Sequence, residues 1–410
     1  MSPSIPPTRG PLAPDLARLR LALAAGFLVT GIGTATWVSR TPAIRDGLSA
    51  STAEMGAIIF GLSVGSILGI SFGGRLVARR GARFAVALGM AMILSGLLVV
   101  ALGTVAQLAP LVAFGLALMG YGMGSGEIGQ NVEAVTLEVR VGRTIVPGLH
   151  GCYSLGLFVG GVAGLLCNAA AVPVLTHLAA VVVLGIGVSV WLVRQLAPGN
   201  GRTTAPAVGA ALAPSAGRRV WLDGRLMALM VVILGVALAE GSANDWLPLI
   251  VVDGFAMSAA VGSIVYALFG LAMAIGRFSG GRLIDRFGRP PVLRVSIAIA
   301  AIGILTVMLA PNIVLGGFGA LLWGVGTSLG FPVVLSSAGD DPAHAAKRAS
   351  AVAAAGYAAF LIGPPVLGSL GQVVGIRDAL LVVLLVALVT LFFAGAARDR
   401  REPAVALLDQ

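Results

Sequence analysis

Long apolar runs separated by short polar breaks repeat along the whole of this chain. A membrane-crossing helix needs about 20 mostly apolar residues. Runs of that length predict helices over residues 19–39, 53–77, 84–104, 110–134, 148–170 and 174–194. A second set falls over 226–250, 258–280, 291–310, 313–338, 348–371 and 376–395. The one long polar connection, rich in Gly, Pro and Ala, runs from about Gln195 to Asp223 and carries Arg202, Arg218 and Arg219. The pattern therefore predicts an all-α membrane protein of twelve helices in two six-helix bundles. The organisation is an N-tail (1–18), a first bundle (19–194), a linker (195–225), a second bundle (226–395) and a C-tail (396–410). The first residues are rich in Pro and small polar side chains. No short apolar core with a small-residue cleavage site follows them, so they read as a tail and not a cleaved signal.

Composition agrees. Hydrophobic residues make up 58% and charged residues 11% of the 410 positions, with a mean hydropathy of +0.99. Soluble domains carry about 25% charge, so this chain cannot coat a water-facing surface. That excludes a soluble enzyme, a disordered protein and a disulfide-built secreted scaffold. Cys152 and Cys167 lie 15 residues apart in one apolar run. On a helix that is about 22 Å, beyond disulfide reach, so they read as small buried thiols. The net charge of +10 changes meaning once it is placed on the spans. Of 27 basic residues, 23 fall in the tails, the linker and the even-to-odd connections, against Arg40, Arg45 and Arg377 on the other side. Arg277 sits within a span. Such segregation places both termini in the cytoplasm and makes the charge a topology signal, not a nucleic-acid surface.

The two halves also resemble each other. At an offset of 207, Asp46–Arg83 and Asp253–Pro290 share 11 identities in 38 positions, including Asp-Gly at the start and Gly-Gly-Arg-Leu near the end. Duplicated bundles are a transporter architecture with the substrate site at their interface. In the connection after the second half's second helix stand Gly281, Asp285, Arg286, Gly288 and Arg289. This spacing resembles the signature of the major facilitator superfamily. The first half keeps Gly74, Arg79, Gly81 and Arg83 but has Ala78 in place of the acid. Segments such as GLHGCYSLG, EGSANDW and GYAAFLIGPPVLG are similar to the bacterial YbjJ-like group, itself distantly similar to the fucose permeases. The resemblance covers about residues 19–395. It implies twelve helices, alternating access, and a cavity lined by helices one, four, seven and ten. Helix five is Gly-rich but lacks the Gly-Pro motif of the superfamily's drug antiporters, which counts against that class.

Ionisable groups inside spans are costly and mark function by default. Helix four carries Glu127 and Asn131, and helix seven Glu240 and Asn244, each pair one turn apart on one face; Asp245 and Trp246 follow Asn244. Carboxylates there can carry a proton, and the amides can bond a sugar-like hydroxyl. The alternative is an ion pair or polar contact holding helices together. Helix one offers Thr30, Thr34 and Trp37, and helix ten Trp323, with aromatic faces suited to a sugar or apolar ligand. For Trp37 and Trp246 the alternative is anchoring at the lipid headgroups. Glu133 and Glu138 read as solvated or paired with Arg140 or Arg143. Arg40, Arg45 and Asp46 read as loop ordering or an anion-attracting mouth. His150 opens helix five; His177 and His344 read as peripheral. Arg277, placed near the end of helix eight, is expected to snorkel to the cytoplasm. Arg79, Asp285, Arg286 and Arg289 are the expected gating residues, with Asp285 capping a helix start. Phe331-Pro332 and Gly363-Pro364-Pro365 are expected to kink helices ten and eleven.

These readings converge on a secondary transporter with no cofactor. Its partners are a small solute, sugar-like by resemblance, a proton as coupling ion, and the bilayer of the bacterial inner membrane; a monomer is expected. No ATP-binding loop is present. Proton-driven efflux of amphipathic compounds is the alternative, and a non-transporting sensor a remote one. Three scattered histidines and two unremarkable thiols offer an intramembrane hydrolase no nucleophile with a base.

Overall fold

A computed structural model describes residues 13–142, 145–202, 223–340 and 345–398. Among these residues the chain is helical throughout its spans, with twelve segments long and apolar enough to cross a membrane. The first half contains α1 (Pro14–Leu48), α2 (Thr52–Arg80), α3 (Ala82–Val105), α4 (Ala109–Val141), α5 (Val146–Ala169) and α6 (Val174–Gln195). The second half contains α7 (Gly224–Phe255), α8 (Ala259–Phe287), α9 (Arg289–Leu309), α10 (Ile313–Thr327), α11 (Gly330–Ala338), α12 (Ala345–Val374) and α13 (Ile376–Phe393). Arg143, Arg218, Arg219, His344, the Lys347 side chain and most of the tails and the linker lie outside the described residues.

The 207-residue offset recurs in the backbone. Helices α2 and α8 begin and end at equivalent positions. Their N-caps, Ser51 and Ser258, each accept the amide three residues on, satisfying one donor that a helix start leaves unpaired. Both end on a glycine at positive φ, Gly81 at +89° and Gly288 at +77°. The ends of α1 and α7 match as well: Ser49 and Ala256 are left-handed at φ 51° and 54°. Small residues set the packing inside each half. A Cβ on Gly96 would stand 2.6 Å from the Gly115 carbonyl oxygen, and one on its repeat counterpart Gly303 2.6 Å from that of Gly319. Backbones touch there, as membrane helices do where side chains vanish.

Several helices run past the ends that their apolar runs predict. α1 continues through Arg40 to Leu48, and both terminal nitrogens of the Arg40 guanidinium find acceptors in place. Arg40 is buried, donating from Nη1 to Asn168 Oδ1 at 2.6 Å and from Nη2 to the Val172 carbonyl. It is neither loop nor open mouth. α8 continues to Phe287, so Asp285 lies in its last turn and not at a helix start. The tenth span breaks between α10 and α11, and Pro332 sits in the first turn of α11. Proline cannot donate to the carbonyl four residues back. At the break, Thr327 Oγ1 donates to the Trp323 carbonyl at 3.0 Å and Ser328 Oγ to that of Val325 at 2.6 Å. Pro364 and Pro365, by contrast, lie inside an unbroken α12.

The halves meet through α1, α2 and α5 against α7, α8 and α12. An even number of spans puts both described ends on one face, here the terminal face. Near the opposite face, Arg45 pairs with Asp253, and the Thr52 amide donates to Gln372 Oε1 at 3.0 Å. Asn168 donates to Ser263 Oγ at 2.8 Å, and Ser263 to the Ser39 carbonyl at 3.2 Å. Deeper, Ser63 donates to the Phe360 carbonyl at 2.7 Å. The level nearest the terminal face is Arg277 to Ser154 at 2.8 Å. Among the described residues, no hydrogen bond or ion pair joins the halves nearer the terminal face than that. One turn below it Phe278 of α8 still lies over Gly151 of α5, and beyond that contact a Cβ on Gly148 or Gly281 would meet nothing within 4 Å. The interface is sealed on the far side and open toward the chain ends.

Candidate functional site

The opening leads to a polar cluster on five helices. Glu127 is exposed although it lies mid-helix in α4. Its electrostatic neighbours are Arg277 on α8 and Glu240 on α7, so it faces the opening and not lipid. Glu240 is 9% exposed, and its carboxylate accepts from Arg277 Nη2 at 2.9 Å. The same guanidinium donates from Nη1 to Ser154 on α5. One cation therefore ties the two halves together at the inner end of the opening. Asn131, one turn after Glu127, shares a 3.1 Å contact between Oδ1 and His150 Nε2. The His150 ring packs on Phe27 at 5.0 Å. Tyr153 stands within electrostatic reach of Arg277, Glu240 and Glu127, and Tyr357 on α12 within reach of Glu127. Asn244 is held within its own half, donating to the Glu240 carbonyl at 3.1 Å and accepting from Tyr266 Oη at 3.0 Å. Asp245 is half-buried and borders, with Trp246, Phe360 and Pro364, a gap too small for a water molecule.

Two independent comparisons bear on what this arrangement belongs to. The profile of the Major Facilitator Superfamily matches residues 21–358. An uncharacterised MFS-type transporter of Yersinia pestis is 30% identical over 376 residues, covering 91% of this chain and 93% of that protein. The chain belongs to the Major Facilitator Superfamily. Solved structures agree on the fold. A D-xylose–proton symporter superposes with a TM-score of 0.71 at 14% identity, over 92% of this chain and 97% of that one. The fucose:proton symporter of E. coli gives 0.64 at 17% identity, over 93% and 98%.

Against this superfamily frame the cluster departs from the four cavity helices that the resemblance implies. α5 and α8 supply Ser154, Tyr153, His150 and Arg277, while α1 and α10 are largely closed off. Thr34 is buried, with its hydroxyl spent on the Thr30 carbonyl at 3.0 Å. Trp37, Trp246 and Trp323 are each 0% exposed. They neither anchor at lipid headgroups nor present a face to the opening in this conformation. Trp323 Nε1 donates to the Ala239 carbonyl at 3.0 Å, fixing α10 on α7 just before Glu240. Trp246 Nε1 has no acceptor among the described residues.

Arg277 does not snorkel. Because α8 extends ten residues beyond it, its side chain turns inward to Glu240. Glu133 is buried beside Asn200 and is not solvated. Glu138 caps α5, accepting from the Ile145 and Val146 amides at 2.7 and 3.0 Å. Arg140 pairs with Asp15. His177 is buried in α6. Of the gating set, Arg79, Asp285 and Arg286 are exposed. Asp285 makes no ion pair among the described residues, and Arg286 lies 5.2 Å over the Phe287 ring. Arg289 instead reaches Asp340 at 2.7 Å and Ser336 at 3.1 Å. Asp340 also accepts from Arg225 at 2.9 Å, which joins the end of the tenth span to the starts of α7 and α9. The sequence signal for Arg277 was present in the repeat, where Ile70 stands at the equivalent position. A cation replacing an apolar residue in mid-span needs a partner. Asp340 carried no comparable signal.

Proposed function

We propose that this superfamily member is a proton-coupled secondary transporter that moves a small, hydroxyl-bearing solute across the bacterial inner membrane by alternating access. Both termini then lie in the cytoplasm, as the arginine distribution favours, and the present conformation faces inward. The observation that carries the reading is the Glu240–Arg277–Ser154 bridge with Glu127 beside it. The bridge spans the two halves at the level where they part. Protonation of Glu240 weakens its hold on Arg277, and Arg277 then turns to Glu127 or to the solute. A charge change thereby becomes a change in how the halves are tied. Asn131, Asn244, His150 and Tyr153 offer donors and acceptors for hydroxyl groups, and Asp245 is a second carboxylate on the route toward the far face. The xylose and fucose symporters of like fold are proton-coupled sugar carriers by name, which supports the same class here. Arg79, Asp285, Arg286 and Arg289 are then the cytoplasmic latch, with Arg289 held by Asp340 and Ser336 within its own half in this state.

Reconstituted vesicles with an imposed pH gradient test the coupling. Wild-type uptake of a labelled solute should follow the gradient. Glu127→Gln or Glu240→Gln should retain exchange between equal pools but lose the gradient response. Gradient-indifferent flux in the wild type overturns the reading. The same vesicles give the direction of net transport and so separate uptake from efflux.

A further inference from the structure

Counting charge in the middle of the spans shows an imbalance. Two carboxylates, Glu127 and Glu240, stand near one guanidinium, that of Arg277, which Glu240 and Ser154 already occupy. Glu127 has no ion-pair partner among the described residues, yet it is the carboxylate most open to the cavity. Opposite it, on the other half, stands Tyr357, within electrostatic reach. The Tyr357 ring packs against Phe331 of α11, with centroids 6.4 Å apart and planes tilted at 49°. Tyr153 closes the cluster from α5. A carboxylate facing aromatic rings across an opening is the chemistry that receives an ammonium group. An anionic solute would meet Glu127 with the single arginine already engaged. A neutral polyol would find hydroxyl partners but leave Glu127 without an ion-pair contact of its own, since Arg277 is held by Glu240 and Ser154, at the cost that intramembrane charges carry.

We propose that the transported solute is a hydroxylated amine, its ammonium seated between Glu127 and the Phe331–Tyr357 pair. This rests on the reading above that the central opening is the substrate site. The geometry then divides the work. Asn131, His150 and Asn244 meet hydroxyls, and Glu127 meets the charge that distinguishes an amine from the parent sugar alcohol.

Three solutes with one carbon skeleton test it: sorbitol, its 1-amino derivative glucamine, and gluconate. Each is titrated into the purified full-length protein at matched ionic strength, and the shift in unfolding temperature gives an affinity. Glucamine should bind at least tenfold more tightly than sorbitol, and gluconate should give no shift. Glu127→Gln should abolish the gap between glucamine and sorbitol, whereas Glu127→Asp, which keeps the charge, should preserve it. If the glutamine variant does not fold, the aspartate variant and Tyr357→Leu supply the comparison, with Tyr357→Leu reducing the glucamine preference. Equal binding of sorbitol and glucamine, tighter binding of gluconate, no stabilisation by glucamine, or a gap that survives Glu127→Gln overturns the proposal. Gradient-driven sorbitol flux without an amine preference would leave transport standing and remove this inference. Glucamine binding without a gradient response would do the reverse.

Discussion

Arg277 is the residue on which the candidate site turns, because Glu240 and Ser154, from opposite halves, are both held by it. The side chains of Arg277 and Glu240 are only 14% and 12% exposed. Removing one partner of a buried pair strands the other charge and costs about 3–5 kcal/mol, whereas removing both is far milder. Glu240→Ala should therefore lower the unfolding temperature in detergent clearly more than Glu240→Ala combined with Arg277→Ala. Additive losses would show that the pair does not act as a unit. Asp223 offers a second test, outside the membrane. It caps α7 through the Arg225 and Leu226 amides and pairs with Arg348. Burial acts to raise its carboxyl, but the Arg348 hydrogen bond and the two amides hold it below the ordinary value. A depressed folded-state value gives stability that is present above the unfolded value and lost as pH falls through the folded one. Asp223→Ala should cost about 1 kcal/mol at pH 7. The difference from wild type should close progressively below about pH 4, near the unfolded carboxylate value. A difference that stays constant down to pH 2 would refute the cap as the cause.

At the level of helices, glycine decides how closely the halves approach. A Cβ on Gly161 of α5 would stand 2.8 Å from Ala267 Cβ and 2.9 Å from Ala267 Cα on α8. Neither helix backbone can yield cheaply, so Gly161→Val should wedge the far half of the interface apart while leaving each bundle intact. In a background with Cys152 and Cys167 replaced by serine, a cysteine at Ser263, buried here, should then react several-fold faster with a bulky water-borne maleimide. An unchanged rate would place the seal elsewhere. The spans themselves were legible from apolar runs alone, because a run of about 20 such residues has few other uses. The repeat was legible too, since Ser51 and Ser258 or Gly81 and Gly288 answer local needs of helix ends that recur wherever the ends recur. Helix continuation past polar residues was not legible. Arg40 and Asp285 look like span boundaries in sequence and Arg277 like a snorkelling span-end cation, and only a distant partner such as Asn168 or Glu240 makes Arg40 and Arg277 affordable inside a helix. The same limit hid the site's membership. Glu127 and Glu240 announce themselves as carboxylates in apolar runs, while Ser154, Tyr153 and Tyr357 gain meaning only from what stands opposite.

For the whole molecule the question is what holds the far side shut and how firmly. Asp46 and Asp253 are repeat counterparts, and Arg45 bridges them: it pairs with Asp253 across the interface and donates from Nε and Nη2 to Asp46 at 3.1 and 3.0 Å. Duplication thus set two like charges facing each other near the pseudo-symmetry axis, and one guanidinium compensates both. The Arg45 and Asp253 side chains are 16% and 32% exposed, so water screens the bridge. Pairs of this kind are worth about 0.2–1 kcal/mol. Under the alternating-access reading proposed above, that magnitude suits a latch that breaks in every cycle; a fully buried pair of several kcal/mol would hold one state too long. At about 1 kcal/mol, loss of the bridge shifts the ratio of open to sealed far faces by about fivefold. Spin labels on cysteines at Leu108 and Val374, both exposed and on opposite halves, report that ratio as two distance populations. Arg45→Ala and Asp253→Asn should each enrich the longer distance by about that factor. The double variant should add little, because both changes remove one interaction. Distances that do not move in either variant would assign the seal to the uncharged contacts among Ser39, Asn168 and Ser263, and the far face would then open without any charge being separated.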